Sequence, residues 1–192
     1  MFSIKRQNDK RIVRAFTHRL ADIPNGVNVA TADFTQTFVA EGTPVGKDSN
    51  GLYHIVKTAT VAVAVTATDT AITVRKGHNF KVGECVFAKT GGKCYTIQTI
   101  TTSETDNALD VITLNTTLGV AISVGAVIVQ GEKEGASVGA YKYAPIGLLG
   151  ESYDVETLSN MPANVVTIGQ ITAAKIAPLG IVAESLKGIV LI

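Results

Sequence analysis

Between Lys57 and Gly131 the chain runs through short threonine-, valine- and alanine-rich segments, each closed by turn residues. That texture admits strands far more readily than helices. It opens with Thr60-Val61-Ala62-Val63-Ala64-Val65-Thr66. The valines fall on one face and small residues on the other, which predicts a strand with a core on one side. Ala71-Ile72-Thr73-Val74, Cys85 to Ala88, Tyr95 to Ile100, Val111-Ile112-Thr113-Leu114 and Ala126-Val127-Ile128-Val129 follow. Their spacing of about 10 to 20 residues suits a small barrel or sandwich. The chain has no tryptophan and makes modest use of helix formers, so a mainly β fold is the expectation.

A length of 192 residues accommodates one domain, or a small domain carrying an insertion. Four parts are read: a basic amino-terminal arm (1–24), a first piece of a β core (25–56), an inserted β domain (57–131) and a second piece of the core (132–192). Lys5, Arg6, Lys10, Arg11, Arg14 and Arg19 face only Asp9 within the first twenty residues, whereas the whole chain carries a net charge of +1. The body is therefore net acidic. Such an arm suits docking onto an acidic surface or a polyanion, with a solvated helix or frayed terminus as the plain alternative. Ile12, Val13, Phe16 and Leu20 have the spacing of a short amphipathic helix, ended by Pro24-Asn25-Gly26. Met1 to Leu20 lacks the apolar stretch of a secretory signal, and a mitochondrial transit peptide is disfavoured by Asp9 and by the scarcity of serine. Val111 to Gly131 is uncharged, but polar residues and two glycines divide it into two strands and a turn, so no membrane span is expected.

Val27 to Val39 reads as extended, with Phe34, Gln36 and Phe38 alternating toward a sheet. The turns Gly42-Thr43-Pro44 and Lys47-Asp48-Ser49-Asn50-Gly51 bracket a short strand. The charged Glu132-Lys133-Glu134-Gly135 marks the return to the core. Strand, turn, strand, helix and strand are expected after Ser137. One helical turn at Ala173-Ala174-Lys175-Ile176 stops before Pro178, and Ile181, Val182, Ser185 and Leu186 form a second helical stripe that Gly188 terminates. The closing Ile189-Val190-Leu191-Ile192 is too apolar to remain in water and is expected to pair within a sheet or against a neighbouring subunit.

The two cysteines, Cys85 and Cys94, flank the turn Thr90-Gly91-Gly92-Lys93. Hairpin counting across that turn sets Cys94 opposite Lys89 and Cys85 opposite Gln98. Four residues of offset separate the sulfurs by about 13 Å, beyond the reach of a disulfide, so free thiols and a reducing cytoplasm are expected. With His78 they do not supply zinc ligands at finger-like spacing.

No nucleophile stands beside a base in the sequence, and no pair of carboxylates is set out for acid–base work. His18, His54 and His78 read as surface or hydrogen-bonding histidines. Ser152 and Asp154 read as strand or loop polar groups, and Asp106 and Asp110 as turn residues. The glycine pairs Gly77/Gly83 and Gly147/Gly150 lack the ending and setting of a phosphate loop. No enzyme activity, cofactor or metal is expected. The arm carries charge enough for phosphates, but the body lacks an interleaved aromatic and basic face, so nucleic acid is not the expected partner.

Ala144-Pro145-Ile146-Gly147-Leu148-Leu149-Gly150, the β-rich Val165-Val166-Thr167-Ile168-Gly169-Gln170, a short helical stretch and the closing Leu186-Lys187-Gly188-Ile189-Val190-Leu191-Ile192 come in an order that resembles the small decoration proteins of tailed-phage heads, the lambda-type family included. Glu41-Gly42-Thr43-Pro44-Val45-Gly46-Lys47-Asp48 is similar to the segment that such proteins place before their first long β element, and Lys76-Gly77-His78-Asn79-Phe80-Lys81-Val82-Gly83 resembles the turn-and-strand segment of phage fibre and decoration modules, which implies that Phe80 and Val82 point inward. The motifs are glycine and apolar patterns covering a minority of the chain. The resemblance implies a β-tulip-like core with short carboxy-terminal helices and an inserted barrel or sandwich, in a virion protein made in the host cytoplasm and displayed on the capsid exterior. It implies a homotrimer bound to the major capsid protein, at the base of a head fibre or as a simple cement. On that reading Phe2 and Ile4 serve as a hydrophobic anchor, Arg6, Lys10, Arg11 and Arg14 pair with shell carboxylates, and Ile189, Val190, Leu191 and Ile192 form the subunit interface. The alternative is a glycan- or host-surface-binding module in 57–131, whose Phe80, Phe87 and Tyr95 either stack on sugars or fill the module's core.

Overall fold

The computed structural model describes residues 14–104, 106–155 and 160–192. Among them the chain is mainly β, with helical structure limited to three short 3-10 segments. The strands are, in chain order, β1 (Phe16–Asp22), β2 (Val27–Val29), β3 (Phe38–Val39), β4 (Pro44–Lys47), β5 (Tyr53–Ile55), β6 (Thr58–Thr60), β7 (Ala71–Arg75) and β8 (Cys85–Phe87). They continue with β9 (Cys94–Thr102), β10 (Leu109–Leu114), β11 (Val127–Gly131), β12 (Pro145–Leu149), β13 (Tyr153–Asp154), β14 (Met161–Ala163), β15 (Val165–Ile171) and β16 (Ile189–Leu191).

The threonine- and valine-rich middle of the chain forms a six-stranded sheet ordered β6-β11-β8-β9-β10-β7. Its two outermost strands meet through an antiparallel bridge between Val61 and Val74, supported by the Ala62 N–H on the Thr73 carbonyl at 2.8 Å. The sheet thus curls upon itself, and one face of each strand fills the interior with Val61, Ile72, Val74, Val86, Ile97, Ile112 and Ile128, all at most 1% exposed. The run Thr60 to Thr66 is not the continuous strand its alternation predicts. Regular pairing ends at Thr60, the backbone bends, and only Val61 and Val65 return to bridge and bury, leaving Val63 53% exposed. Phe80 points inward as expected, but Val82 is 61% exposed. It lies in the tight turn from Lys81 to Glu84, where Gly83 has φ +89° and the Glu84 N–H donates to the Lys81 carbonyl, so strand alternation does not apply to it.

The flanking segments form an eight-stranded sheet ordered β1-β15-β12-β4-β5-β2-β14, with β16 added in parallel to β15, and β3 and β13 pair separately. Its own core gathers Val29, Val39, Val45, Ile55, Leu149 and Val165. A third cluster joins this base to the barrel: Phe87, Cys94, Val127 and Val129 pack against Ala15, Val56, Leu148, Ile171, Leu179, Val182 and Leu186. Strand β11 gives Ile128 to the barrel interior and Val127 and Val129 to this junction. A strand packed on both faces reads as a continuous apolar run, as this one does.

The amphipathic helix expected near the amino terminus does not form over its described part. Phe16–Asp22 is a strand, antiparallel to β15, with three register irregularities. The reason is tertiary. The buried Glu41 carboxylate accepts the Ala15 and Phe16 N–H groups, each at 3.1 Å, and Arg19 pairs with it at 3.3 Å. Arg19 also donates to the Gly150 carbonyl. These contacts reward an extended backbone that a helix would withdraw. Pro24-Asn25-Gly26 does turn the chain, with Asn25 and Gly26 both left-handed at φ +65° and +69°, a region open to these residue types.

The carboxy-terminal helices are 3-10 turns, Ala173–Lys175 and Gly180–Ser185. Gly188 is not a left-handed cap. A side chain there would strike the Thr167 carbonyl, so its role is close approach of backbones.

Candidate interaction surface

Arg14 is the first described residue of the arm. Its side chain is 61% exposed and stands 3.7 Å from Glu151 of its own chain, so its charge is partly answered within the molecule. Phe2, Ile4, Arg6, Lys10 and Arg11 lie outside the described residues. Ala15, 1% exposed, enters the body directly after Arg14.

Ala15, near the first described residue, and the carboxy-terminal Ile192 meet on one stretch of sheet. Ala15 offers its carbonyl to the Thr172 N–H, while Ile192 bonds Ile171 and Ala173 through its N–H and carbonyl. Of the four closing residues Ile189 is half-buried, and Val190, Leu191 and Ile192 are exposed on β16 and just beyond it. Their backbones pair with β15 of the same chain, which settles the pairing and leaves the side chains free. In register across three strands lie His18, Gln170 and Val190. Beside that row stand Ile168, 46% exposed, and Leu20, 75% exposed, and these residues line a shallow groove with Gly169 and Gly188. Exposed aliphatics grouped on one sheet face make it the candidate surface for an interaction. Leu20 and Ile168 were not identified from sequence. Helical spacing assigned Leu20 to a buried stripe, whereas in the fold it sits at the register irregularity between Arg19 and Ala21 and is exposed.

A polar seam runs where the barrel meets the base. His54 on β5 lies between two carboxylates, with Nδ1 2.6 Å from Asp33 Oδ2 and Nε2 3.6 Å from Asp48 Oδ2. Its ring stacks on Tyr143 at 3.9 Å with an interplanar angle of 7°. Burial works against the Asp48 carboxylate, but the Leu52 and Asn50 N–H groups and the His54 ring outweigh it and hold the Asp48 carboxyl below its usual range. Burial, with Asp33, Asp48 and Glu84 nearby, pushes the Tyr143 phenol up. Nearby, Asn79 accepts the Thr35 N–H at 2.9 Å, Lys81 reaches the Ala32 carbonyl at 2.5 Å, and Lys57, 1% exposed, pairs with Glu84 at 2.5 Å. Both His54 nitrogens face carboxylates of the base. The contacts of Thr35 with Asn79, Ala32 with Lys81 and Lys57 with Glu84 fasten the base to the barrel.

His78 is buried in the barrel turn, where Nδ1 accepts the Phe80 N–H at 3.2 Å. Its Nε2 is 3.4 Å from Asp110 Oδ2, within ion-pair range but without hydrogen-bond geometry. Burial pulls the His78 pKa down, against the opposing pull of Asp110 and Glu84. Of the three aromatics considered for sugar stacking, Phe80 and Phe87 are at most 3% exposed and Tyr95 is half-buried; the first two are core residues. Among the described residues no group of three His, Cys, Asp or Glu is placed to hold a metal ion, and no helix is long and apolar enough to cross a membrane. No family model matches the chain, and no curated protein or solved structure matches it.

Proposed function

We propose that this chain is a structural subunit that docks on a larger protein assembly, namely a decoration protein on the outside of a tailed-phage head, bound to the major capsid protein and assembled as a homotrimer. The observation that carries the reading is the exposed set of aliphatics Leu20, Ile168, Val190 and Ile192, on and beside β1, β15 and β16. A covering subunit works through many copies of one modest contact, and such a contact needs a rigid body with an apolar face. The glycine and apolar patterns shared with head decoration proteins supply the assignment to a phage shell, and with it the capsid exterior as location and the host cytoplasm as place of synthesis. The basic segment before Ala15 adds charge for shell carboxylates.

Binding to decoration-free heads tests this. Replacing Leu20 and Val190 together by Glu is expected to weaken saturation by at least about tenfold, equivalent to 1.4 kcal/mol, while the protein stays folded. Removing residues 1–13 tests the arm separately. The cut stops there because Ala15, Phe16 and Arg19 are tied to Glu41. Unchanged saturation by both variants would refute the docking role of this end of the molecule.

A further inference from the structure

Strands β8 and β9 pair with Cys85 opposite Thr96 and Phe87 opposite Cys94. The sequence count of a four-residue offset is therefore wrong by two. The irregular turn, held by Gly91 N–H on the Gly139 carbonyl and Gly92 N–H on the Lys89 carbonyl, takes up more residues than a two-glycine hairpin. Both cysteines now share one face of the ladder as diagonal neighbours, an arrangement with Cα atoms about 7–8 Å apart and Cβ atoms closer. That lies just past the roughly 7 Å that a disulfide spans without backbone movement, so closure needs β8 and β9 to shift slightly. A second feature brings the sulfurs nearer. Gly131 faces Cys85 from the other side of β8, and a methyl group on Gly131 would overlap Cys94 Sγ. The Cys94 sulfur therefore rests beside the residue that faces Cys85. Cys85 Sγ, half-exposed, lies 3.4 Å from Thr96 Oγ1. Burial, together with the adjacent Cys85 thiol and Glu134, pushes the Cys94 thiol up to about 12.

We propose that Cys85 and Cys94 are a redox pair that closes to an intrachain disulfide when the protein meets a disulfide oxidant. Cys85 is the entry sulfur. Its thiolate attacks one sulfur of the oxidant, forms a mixed disulfide and releases one thiolate. Cys94 then gives its proton to water and attacks Cys85 Sγ, expelling the second thiolate. Two protein thiols are oxidised and one disulfide is reduced to two thiols. Burial of Cys94 makes the second step slow, because its thiolate is scarce until β9 opens locally.

Intact-mass measurement of the full chain after exposure to glutathione disulfide and denaturation in the presence of a maleimide, which reaches the buried Cys94 as well, tests this. The expected product is two hydrogens lighter than the reduced chain and carries no maleimide. Cys94→Ser is expected to retain glutathione on Cys85. Two alkylated cysteines under conditions that oxidise a control dithiol would overturn the proposal. So would wild type that still holds the glutathione adduct, with Cys94 alkylatable, once the exchange has come to equilibrium.

Discussion

The barrel and the sheet at the chain ends draw on the same aliphatic residues and put them to opposite uses. In the barrel, Val61–Val74 pairing joins the outer strands and converts one face of six strands into an interior; Ile112 and Ile128 are 0% exposed. Around β1, β15 and β16 the sheet stays open. Strands β1, β15 and β16 bury one face on the junction core and turn Leu20, Ile168 and Val190 outward. Valine and isoleucine content thus reports β structure without reporting burial. What separates the regions is whether a sheet finds its own edge.

The contrast is broken most severely from the barrel side. Ile112→Ala is expected to cost about 2–5 kcal/mol, the range for a fully buried aliphatic truncated to Ala, read as a lower denaturation midpoint with unchanged slope. Lys57→Met comes next. It strands Glu84 beside the seam, and since Glu84 keeps 16% exposure the expected loss is about 2 kcal/mol, below the range for a fully buried pair. Rescue by Lys57→Met combined with Glu84→Gln would show that the cost is an unpaired charge.

A smaller effect is sought in pH. His78 has a lowered pKa in the fold because burial penalises its charged form. The unfolded chain therefore binds more protons, so this contribution is whole above about pH 6.5 and declines as pH falls through that value toward the folded one. His78→Asn should flatten stability over that window, as followed by thermal unfolding at several pH values. The smallest effect belongs to the open sheet. Val190→Ser should change stability by no more than about 0.5 kcal/mol, as exposed positions do, and a larger loss would mean that this face is buried in the folded protein.

Much of the β architecture was readable in advance. The runs read at Ala71–Val74, Val111–Leu114 and Ala126–Val129 fall on the strands Ala71–Arg75, Leu109–Leu114 and Val127–Gly131, and these strands and the turn at Pro24-Asn25-Gly26 follow from local apolar runs and from residues that tolerate positive φ. Readings failed where a distant partner decides the outcome. Phe16–Asp22 became a strand because Glu41 and β15 receive it, Val63 and Val82 turned outward at bends, and the Cys85–Cys94 register shifted by two. The exposed face was half legible: Ile189 to Ile192 stood out as an apolar end, whereas Leu20 and Ile168 join it only through pairing.

Sequence by itself determined that this chain would be β, and where many of its strands would stop, since side-chain alternation and left-handed turn residues act within a few positions. Tertiary structure alone decided which face of each strand meets water and which residues become neighbours. Arg19, Glu41 and Gly150 come together from far apart in the chain, and no local preference encodes that meeting. It exists because a buried carboxylate must find donors, and the fold supplies them.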